Sequence, residues 1–346
     1  MKKQTIDKSM ISSKIVCDSI NWLGNRITTL VLIYPRYIHS EFMTHRMLSK
    51  NSASSRAIPT NKLIQDLRDN PVIPMWTRNE KGMQGGVIED QELIEKLNTD
   101  WLFARDFAIN EAGALAEAGV HKQNTNRIIE PFQHIRVICT GTEWQNFFDL
   151  RDHPAAMPEI QVLARSIKES MDRSKPEMLN PGEWHLPFGD MIDEEALINR
   201  SYELLCGGRN WEVESKRDLI ADDVALSRAK ICSARCARIS YNTHDGDFSI
   251  EKDLELYERL AGSSPKHLSP TEHVARVPYD TELDKFQSGY LYKGVGIYRY
   301  YRGEYVSNLN GWIQFRKLIE DDCCHGTSEN CKCKTKKNGL NSNGSI

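Results

Sequence analysis

The stretch RITTLVLIYPRYIHSEFM, residues 26–43, most limits how this chain can fold. It begins with a run of β-branched and aliphatic residues and then reaches Pro35, which cannot donate a sheet hydrogen bond. We therefore predict a strand that ends at Pro35 and a short helix or turn that leads into Thr44. The polar residues after Thr44 then follow directly on an ordered element.

Most of the other segments with a regular apolar pattern have the spacing of a helix. Between Glu89 and Ala118 apolar residues recur at helical spacing, and Gly119 stands in a C-cap position. Residues 60–86 contain prolines and end in KGMQGG, so we predict a long connecting loop there. Further helices are predicted from about residue 124 and over 142–151, 160–171, most of 191–235 and 250–261, and HIRVICT is predicted to be a strand.

The composition excludes several classes of protein. The chain has 346 residues, 40% hydrophobic and 27% charged, which is typical of a soluble globular protein with a substantial core. No apolar run resembles a signal peptide or a membrane span, so we expect a cytoplasmic protein without a membrane partner. The net charge of -3 argues against a nucleic-acid partner. Neither a Walker loop nor G-x-G-x-x-G occurs, which leaves a Rossmann or P-loop fold unsupported.

Residues 44–59, THRMLSKNSASSRAIP, are rich in cations and hydroxyls and have no apolar period. One interpretation is a solvated loop that turns at Pro59. The other is an anion site, in which Arg46 and Arg56 donate charge-assisted hydrogen bonds and neutral side chains orient the anion. The neutral donors are Ser49, Asn51, Ser54 and Ser55.

A second polar segment, HLSPTEH, covers residues 267–273. Its histidines and glutamate could suggest a metal site, but Pro270 breaks the helical register that would align them. We favour a helix start, with Ser269 as N-cap and Glu272 at N3 in a capping box. The free N-terminus of such a helix would also attract anions.

The nine cysteines do not form the pattern of a secreted disulfide framework. Four of them crowd into CCHGTSENCKC with His325, where zinc is the weaker alternative because the spacing matches no standard finger. We predict no metal site. For the adjacent Trp184 and His185 we expect packing and a hydrogen-bonded histidine.

These segments resemble the flavin-dependent thymidylate synthases, the ThyX family, in a longer, phage-borne branch. The family motif R-H-R-x-x-S-x-N-E-x-S-x-R matches residues 44–56, with Thr44 and Ser52 in place of its first Arg and its Glu. Other family motifs are R before P, N-F-x-x-L-R, E-I-Q, A-R-x-S-[FY] and H-x-[ST]-P-x-E-H. They match Arg127 with Pro131, and residues 146–151, 159–161, 237–241 and 267–273.

The resemblance implies an α+β fold with an antiparallel sheet packed against long helices, and a homotetramer whose sites are shared between chains. In common family members the last two motifs precede the R-H-R loop, whereas here they follow it. This order suggests a circular permutation, which leaves an assembled site intact. We expect a single catalytic domain over residues 1–320, with motif halves 14–170 and 230–277, and a polar, disordered tail over 321–346.

The resemblance also implies the chemistry. C5 of dUMP would be methylated to give dTMP, with the one-carbon unit from methylenetetrahydrofolate and a hydride from FAD that NADPH has reduced. Arg151 would stabilise the negative charge on the pyrimidine, and Ser54 is a candidate for proton handling. The implied substrate-binding residues are Glu41, Ser54, Ser55, Arg56, Arg127 and Arg151. The implied cofactor-binding residues are His45, Arg46, Asn51, Asn146, His267, Ser269 and Glu272.

The departures from the family pattern define the alternatives. Loss of an Arg at Thr44 would weaken FAD binding unless a cation such as Lys50 compensates. Glu41 stands where some members have a Gln that contacts the pyrimidine. One alternative is a pyrimidine deoxynucleotide hydroxymethylase on the same scaffold. Another is a catalytically idle nucleotide- or RNA-binding homologue.

Overall fold

The computed structural model describes residues 11–81, 85–206, 217–241, 248–285, 287–293, 296–302 and 307–324. Within these ranges the protein is α+β, as predicted, with a central sheet between helices. The tail residues His325, Cys331 and Cys333 lie outside them, so the predicted cysteine–histidine cluster is not described. Among the described residues, no helix is both long and apolar enough to cross a membrane.

The ten strands form three sheets in the described parts of the chain. A five-stranded sheet has the order β3-β4-β2-β1-β5, a small sheet has the order β10-β7-β6, and β8 and β9 form a hairpin. The strands are β1 (Ser12–Asn21), β2 (Arg26–Pro35), β3 (Ser49–Ser52), β4 (His134–Gly141), β5 (Glu177–Leu179), β6 (Trp184–His185), β7 (Ala275–Arg276), β8 (Gln287–Lys293), β9 (Gly296–Arg302) and β10 (Ile313–Gln314).

The described ranges also contain ten α-helices. They are α1 (His39–Met43), α2 (Thr60–Asp69), α3 (Gln91–Glu117), α4 (Lys122–Ile129), α5 (Gln145–Arg151), α6 (Pro158–Arg173), α7 (Glu194–Cys206), α8 (Arg217–Tyr241), α9 (Ile250–Ala261) and α10 (Phe315–Cys324). The predicted end of β2 at Pro35 and the predicted bounds of α9 are confirmed. Gly119 has a φ of +82° just beyond α3, where a glycine adopts the left-handed conformation at no steric cost.

The centre of the large sheet is buried on both faces. β2 and β4 pair antiparallel from Thr28 opposite Gly141 to Pro35 opposite His134. One face packs on α6 through a cluster that includes Leu30, Leu32, Val137 and Leu163. The other face packs on α8 through Ile138, Cys236 and Ile239. Because both faces are covered, the two strands are almost continuously apolar. β5 joins the edge parallel to β1, since the chain reaches it through α6.

The prediction of a loop over residues 60–86 is wrong for the first third of the segment. Residues Thr60–Asp69 form α2, and Leu63, Ile64 and Leu67 pack at helical spacing in a cluster with residues of α3. The predicted loop begins only at Pro71. Burial of an amphipathic face therefore decides this segment up to Asp69.

The predicted capping box at Ser269 is also wrong. Residues Ser269–His273 form a short 3-10 helix whose N-cap is Leu268, without a side-chain cap hydrogen bond. The Thr271 hydroxyl instead donates to the Leu268 carbonyl oxygen at 2.6 Å. The Glu272 carboxylate pairs with Arg316, a residue far away in sequence, and so does not reach back to the N-cap.

A buried ion-pair network fixes α8 against α9. The Arg235 side chain is fully buried, and its Nε donates to Asp253 Oδ2 at 2.8 Å, while Arg238 Nε donates to Asp253 Oδ1 at 2.8 Å. Arg235 Nη1 also donates to the Phe188 carbonyl oxygen at 2.7 Å. With its charges paired and hydrogen-bonded, this network orients the helix that carries residues 237–241 toward the central sheet.

Candidate active site

Arg151 is the centre of a charged cluster at the end of α5. Its Nε donates to His45 Nε2 at 2.8 Å, its Nη1 donates to Glu41 Oε2 at 2.9 Å, and its Nη2 lies 3.3 Å from Thr44 Oγ1. The Thr44 hydroxyl in turn donates to the Glu41 carbonyl oxygen at 2.7 Å. Two motifs about a hundred residues apart thus meet at one guanidinium, and Thr44, whose role was an open question, is one of its partners.

His45 is held neutral in this cluster. It is almost fully buried and its ring packs edge-on against Phe147. Burial, together with the nearby charges of Arg151 and Lys50, lowers the pKa of His45 to about 4. At neutral pH its Nε2 can therefore accept the hydrogen bond from Arg151, which a protonated imidazole could not do.

Lys50 does not stand in for the arginine that is missing at Thr44. Its ammonium turns inward, donates to the carbonyl oxygens of His45 at 2.5 Å and Phe42 at 3.3 Å, and lies 5.3 Å from the Phe42 ring centroid. Burial lowers the pKa of Lys50. Of the two alternatives for the loss of Arg at Thr44, these contacts favour weaker FAD binding over compensation by Lys50, because its donors are used to fix the loop backbone.

Asn51 connects the loop to the second polar segment. Its amide lies against the Ser269 hydroxyl at 3.0 Å and His273 Nε2 at 3.2 Å. With its oxygen accepting from Ser269, its nitrogen donates to His273 Nε2. Nearby, the Ser54 backbone N–H donates to the Ser240 carbonyl oxygen at 2.9 Å. The segments 237–241 and 267–273 are thus brought against the loop at residues 44–56, as the motif matches imply.

A buried chain of hydrogen bonds runs from Asn51 across the sheet to β1. His273 Nδ1 is 2.9 Å from the Thr140 hydroxyl, which is 2.6 Å from that of Thr29, and Thr29 is 2.8 Å from His185 Nε2. His185 Nδ1 is 2.9 Å from Ser19 Oγ. Burial lowers the pKa of both histidines to about 3, so each is neutral and has one donor and one acceptor nitrogen. The prediction that His185 is packed and hydrogen-bonded is confirmed.

A second polar cluster lies where α4 ends. Glu130 Oε1 accepts from the Ser55 hydroxyl at 2.6 Å and from Arg127 Nη1 at 2.8 Å, and it lies 3.0 Å from Arg36 Nη2. Asn126, fully buried, donates to the carbonyl oxygens of Ser55 and Ile58 and fixes the course of the loop. Ser55 and Arg127 were singled out in the sequence, whereas Glu130 and Arg36 were not.

Other sequence-predicted residues lie at the surface around these two clusters. Arg46, Arg56 and Asn146 are exposed, and none of their side chains has a hydrogen bond or ion pair with another described residue. His267 and Ser269 are also exposed. Ser54 is half-buried. Surface cations without protein partners are available to a negatively charged ligand.

Residues 307–317, SNLNGWIQFRK, pack directly on the site, although sequence reasoning assigned them no role. Asn308 Nδ2 donates to Ser49 Oγ at 2.9 Å and to the Met47 carbonyl oxygen at 3.1 Å. Gln314 Nε2 donates to the Glu272 carbonyl oxygen at 3.2 Å. The only signal in the sequence was the density of amides in this segment. Its position was not predictable, because the partners of Asn308 lie more than 250 residues away and the partner of Gln314 lies 42 residues away in the 3-10 helix.

The four cysteines whose side chains the structure describes, Cys17, Cys139, Cys232 and Cys236, are not arranged as nucleophiles. Cys139, Cys232 and Cys236 are fully buried, and burial raises the pKa of Cys139 to about 12. Burial likewise raises the pKa of Cys17 to about 12. Nor do three His, Cys, Asp or Glu side chains come together as a metal site within the described ranges.

The exposed donors of the motif segments fit the chemistry of a cofactor with phosphate groups. Arg46 supplies a cation without a partner among the described residues, and Ser269, His267 and Asn146 supply exposed polar groups. The pocket that is lined by residues such as Ser233, Tyr257 and His267 has too little space to enclose a dinucleotide.

Comparison with known proteins bears on this region. Residues 26–177 match the family model Thy1, described as "Thymidylate synthase complementing protein". Among solved structures, one match is a UMP/dUMP methylase PolB from Streptomyces cacaoi bound with 5-Br UMP. It is 14% identical, with a TM-score of 0.40, and the match covers 49% of this chain and 90% of that chain. No curated protein matches the sequence. The Thy1 match contains Arg151, Arg127 and the whole loop at residues 44–56.

Proposed function

We propose that this chain, whose residues 26–177 match the Thy1 family model, is a flavin-dependent thymidylate synthase. It would methylate C5 of dUMP to give dTMP, using methylenetetrahydrofolate as one-carbon donor and NADPH as reductant of FAD. The observation that carries the proposal is the convergence of Glu41, Thr44 and His45 on the Arg151 guanidinium. A guanidinium held from three sides is preorganised to stabilise charge.

Arg151 has donors left for a substrate. A guanidinium has five N–H groups, and three of them are directed at His45, Glu41 and Thr44. The remaining two can donate to a pyrimidine carbonyl oxygen as negative charge develops on the ring, which makes C5 nucleophilic. Since His45 stays neutral, it places no second positive charge beside Arg151 that would compete for the substrate.

Glu41 is suited to the other edge of the base. Its Oε2 accepts from Arg151, while its side chain remains partly exposed. The free Oε1 can accept a hydrogen bond from N3–H of uracil, a position where a carboxylate acts as acceptor only. Ser54 is a candidate proton carrier, and we assign it first a positioning role.

The phosphate of dUMP is assigned to Ser54, Ser55, Arg56 and Arg127. These are the donors on the far half of the loop and on α4, and Arg56 has no competing partner among the described residues. Arginine with its forked donors suits a phosphate.

FAD is assigned to the donors of the motif segments and supplies the hydride when bound. The residues that would hold it are His45, Arg46, Asn51, Asn146, His267, Ser269 and Glu272. Arg46 would neutralise its diphosphate. Asn51 and Ser269 already position each other through the contact at 3.0 Å, and this lowers the cost of ordering them around a ligand.

We extend the proposal to a single catalytic domain of permuted order that assembles as a homotetramer. Contacts between the loop and residues 237–241 and 267–273 support the single domain. The assembly is supported by α3, which exposes Phe103 and Phe107 on one face of the helix. An exposed aromatic pair is typical of a surface that another copy covers.

The test is the visible absorption spectrum of the purified protein with and without dUMP, followed by the mass of the product. We expect a flavin spectrum that shifts when dUMP is added, and a product that carries a methyl group. Arg151→Met should abolish turnover, whereas Arg165→Met, which removes an exposed guanidinium paired with Asp152, should not. A hydroxymethyl product would instead identify a hydroxymethylase. Protein that binds dUMP but cannot take up FAD would be an idle nucleotide binder, and the proposal would fall.

A further inference from the structure

The Glu130 carboxylate is an internal anion on which three donor groups converge. Its Oε1 accepts from the Ser55 hydroxyl at 2.6 Å and from Arg127 Nη1 at 2.8 Å, and lies 3.0 Å from Arg36 Nη2. These donors come from the loop, from α4 and from the end of β2. Three separate segments therefore direct positive or donor groups at one carboxylate oxygen.

The same donors suit a phosphate better than a carboxylate. A hydroxyl and two guanidinium groups are a typical phosphate-binding set. A phosphate monoester has three terminal oxygens and nearly two negative charges at neutral pH. It could engage Ser55, Arg127 and Arg36 at once, each through a different oxygen. Glu130 and a nucleotide phosphate thus compete for the same donors.

Arg36 requires a counter-ion, so a phosphate that displaces Glu130 must also take its place beside Arg36. Its guanidinium is only 18% exposed, and Glu130 is its ion-pair partner. Desolvation by burial lowers the pKa of Arg36, and the Glu130 carboxylate opposes this shift because it stabilises the buried charge. The Arg36 backbone is fixed as well, since its N–H donates to the Gln133 carbonyl oxygen at 2.8 Å. If Glu130 leaves, another anion must take its place, because a half-buried cation without a counter-ion is costly.

We propose that the 5′-phosphate of the nucleotide displaces the Glu130 carboxylate and that Arg36 thereby becomes a phosphate-binding residue. This inference rests on the proposed function. The Glu130 side chain is 21% exposed, so it can turn toward solvent when the phosphate enters. The arrangement selects for phosphorylated ligands, since a nucleoside leaves the Glu130 ion pairs intact and gains nothing from Arg36.

The test compares dUMP with deoxyuridine by isothermal titration calorimetry. Glu130→Gln keeps the size of the side chain and an acceptor for Ser55 but removes the competing charge. We expect it to bind dUMP more tightly than the parent by about tenfold, the size of one charge-assisted hydrogen bond, with deoxyuridine binding unchanged. Asp100→Asn is the matched control, because it removes a carboxylate that pairs with Lys96 on α3, and it should leave both affinities as in the parent.

A second pair of variants tests Arg36. Arg36→Gln should weaken dUMP binding by about tenfold and leave deoxyuridine binding unchanged, and Arg36→Lys should lie between the parent and Arg36→Gln. If Glu130→Gln binds dUMP no better than the parent, Glu130 orients the donors and the inference is overturned, while the proposed function stands. If the parent itself binds no dUMP, the proposed function falls and this inference with it.

Discussion

Lowering the pH from 7 to 5 should destabilise this protein through two histidines of the buried chain. His185 and His273 are fully buried, and burial holds the pKa of each at about 3 in the folded protein, against 6.5 for a free side chain. Between these two values the unfolded chain binds a proton that the folded chain does not. Stability is therefore full above about pH 6.5 and is lost as the pH falls toward 3.

The magnitude follows from that difference in proton binding. At pH 5, proton binding to one histidine stabilises the unfolded state by about 2 kcal/mol, because the pH is 1.5 units below the pKa of the free side chain. For His185 and His273 together the loss is about 4 kcal/mol, a large part of the 5 to 15 kcal/mol that stabilises an ordinary domain. The cause is burial, because a proton added to either imidazole would place a charge in the desolvated interior.

The assay is urea unfolding, followed by circular dichroism, of the parent and of His185→Gln at pH 5, 6, 7 and 8. The variant should be less stable than the parent at pH 7, but its loss between pH 7 and 5 should be smaller by about 2 kcal/mol. The difference between the two proteins should stay nearly constant from pH 7 to 8, which is an internal control. An equal loss between pH 7 and 5 in both proteins would show that His185 does not titrate as the structure implies.

Three further perturbations test other parts of the structure. Asp253→Asn leaves Arg235 and Arg238 with uncompensated charge in the core, so the free energy of unfolding in urea should fall by about 3 to 5 kcal/mol; an unchanged value would contradict a buried pair. Leu163→Ala, at a fully buried position on α6, should cost about 2 to 5 kcal/mol in the same assay. Replacing Phe103 and Phe107 together by Glu should dissociate the proposed tetramer in light scattering, and an unchanged mass would place the interface elsewhere.

The sequence predicted several residues of the candidate site but not which of them contact one another. Arg151, His45 and Asn51 were named from motif positions, and the structure brings each of them into a polar cluster. Lys50 was named as one cation that could replace the arginine missing at Thr44, but it faces the backbone, because α1 and the turn after it offer two carbonyl oxygens. Nothing in the sequence distinguishes a lysine that faces outward from one that turns in.

Local elements were determined by the sequence alone. The β-branched run before Pro35 predicts β2, and apolar residues at helical spacing predict α3, α6 and α9, because these patterns depend on neighbours within a few residues. The loop prediction failed at α2 for the same reason, since the packing of α2 on α3 outweighed nearby loop signals.

Tertiary structure alone decided which distant groups meet. Glu130 reaches Ser55 and Arg36, and Asn308 reaches the loop, only because the helices pack on two faces of one sheet. The sequence fixes which donors and acceptors exist, but contacts between residues tens to hundreds of positions apart are set by burial of the shared apolar faces. The position of the Glu130 carboxylate among its donors is a property of that packing.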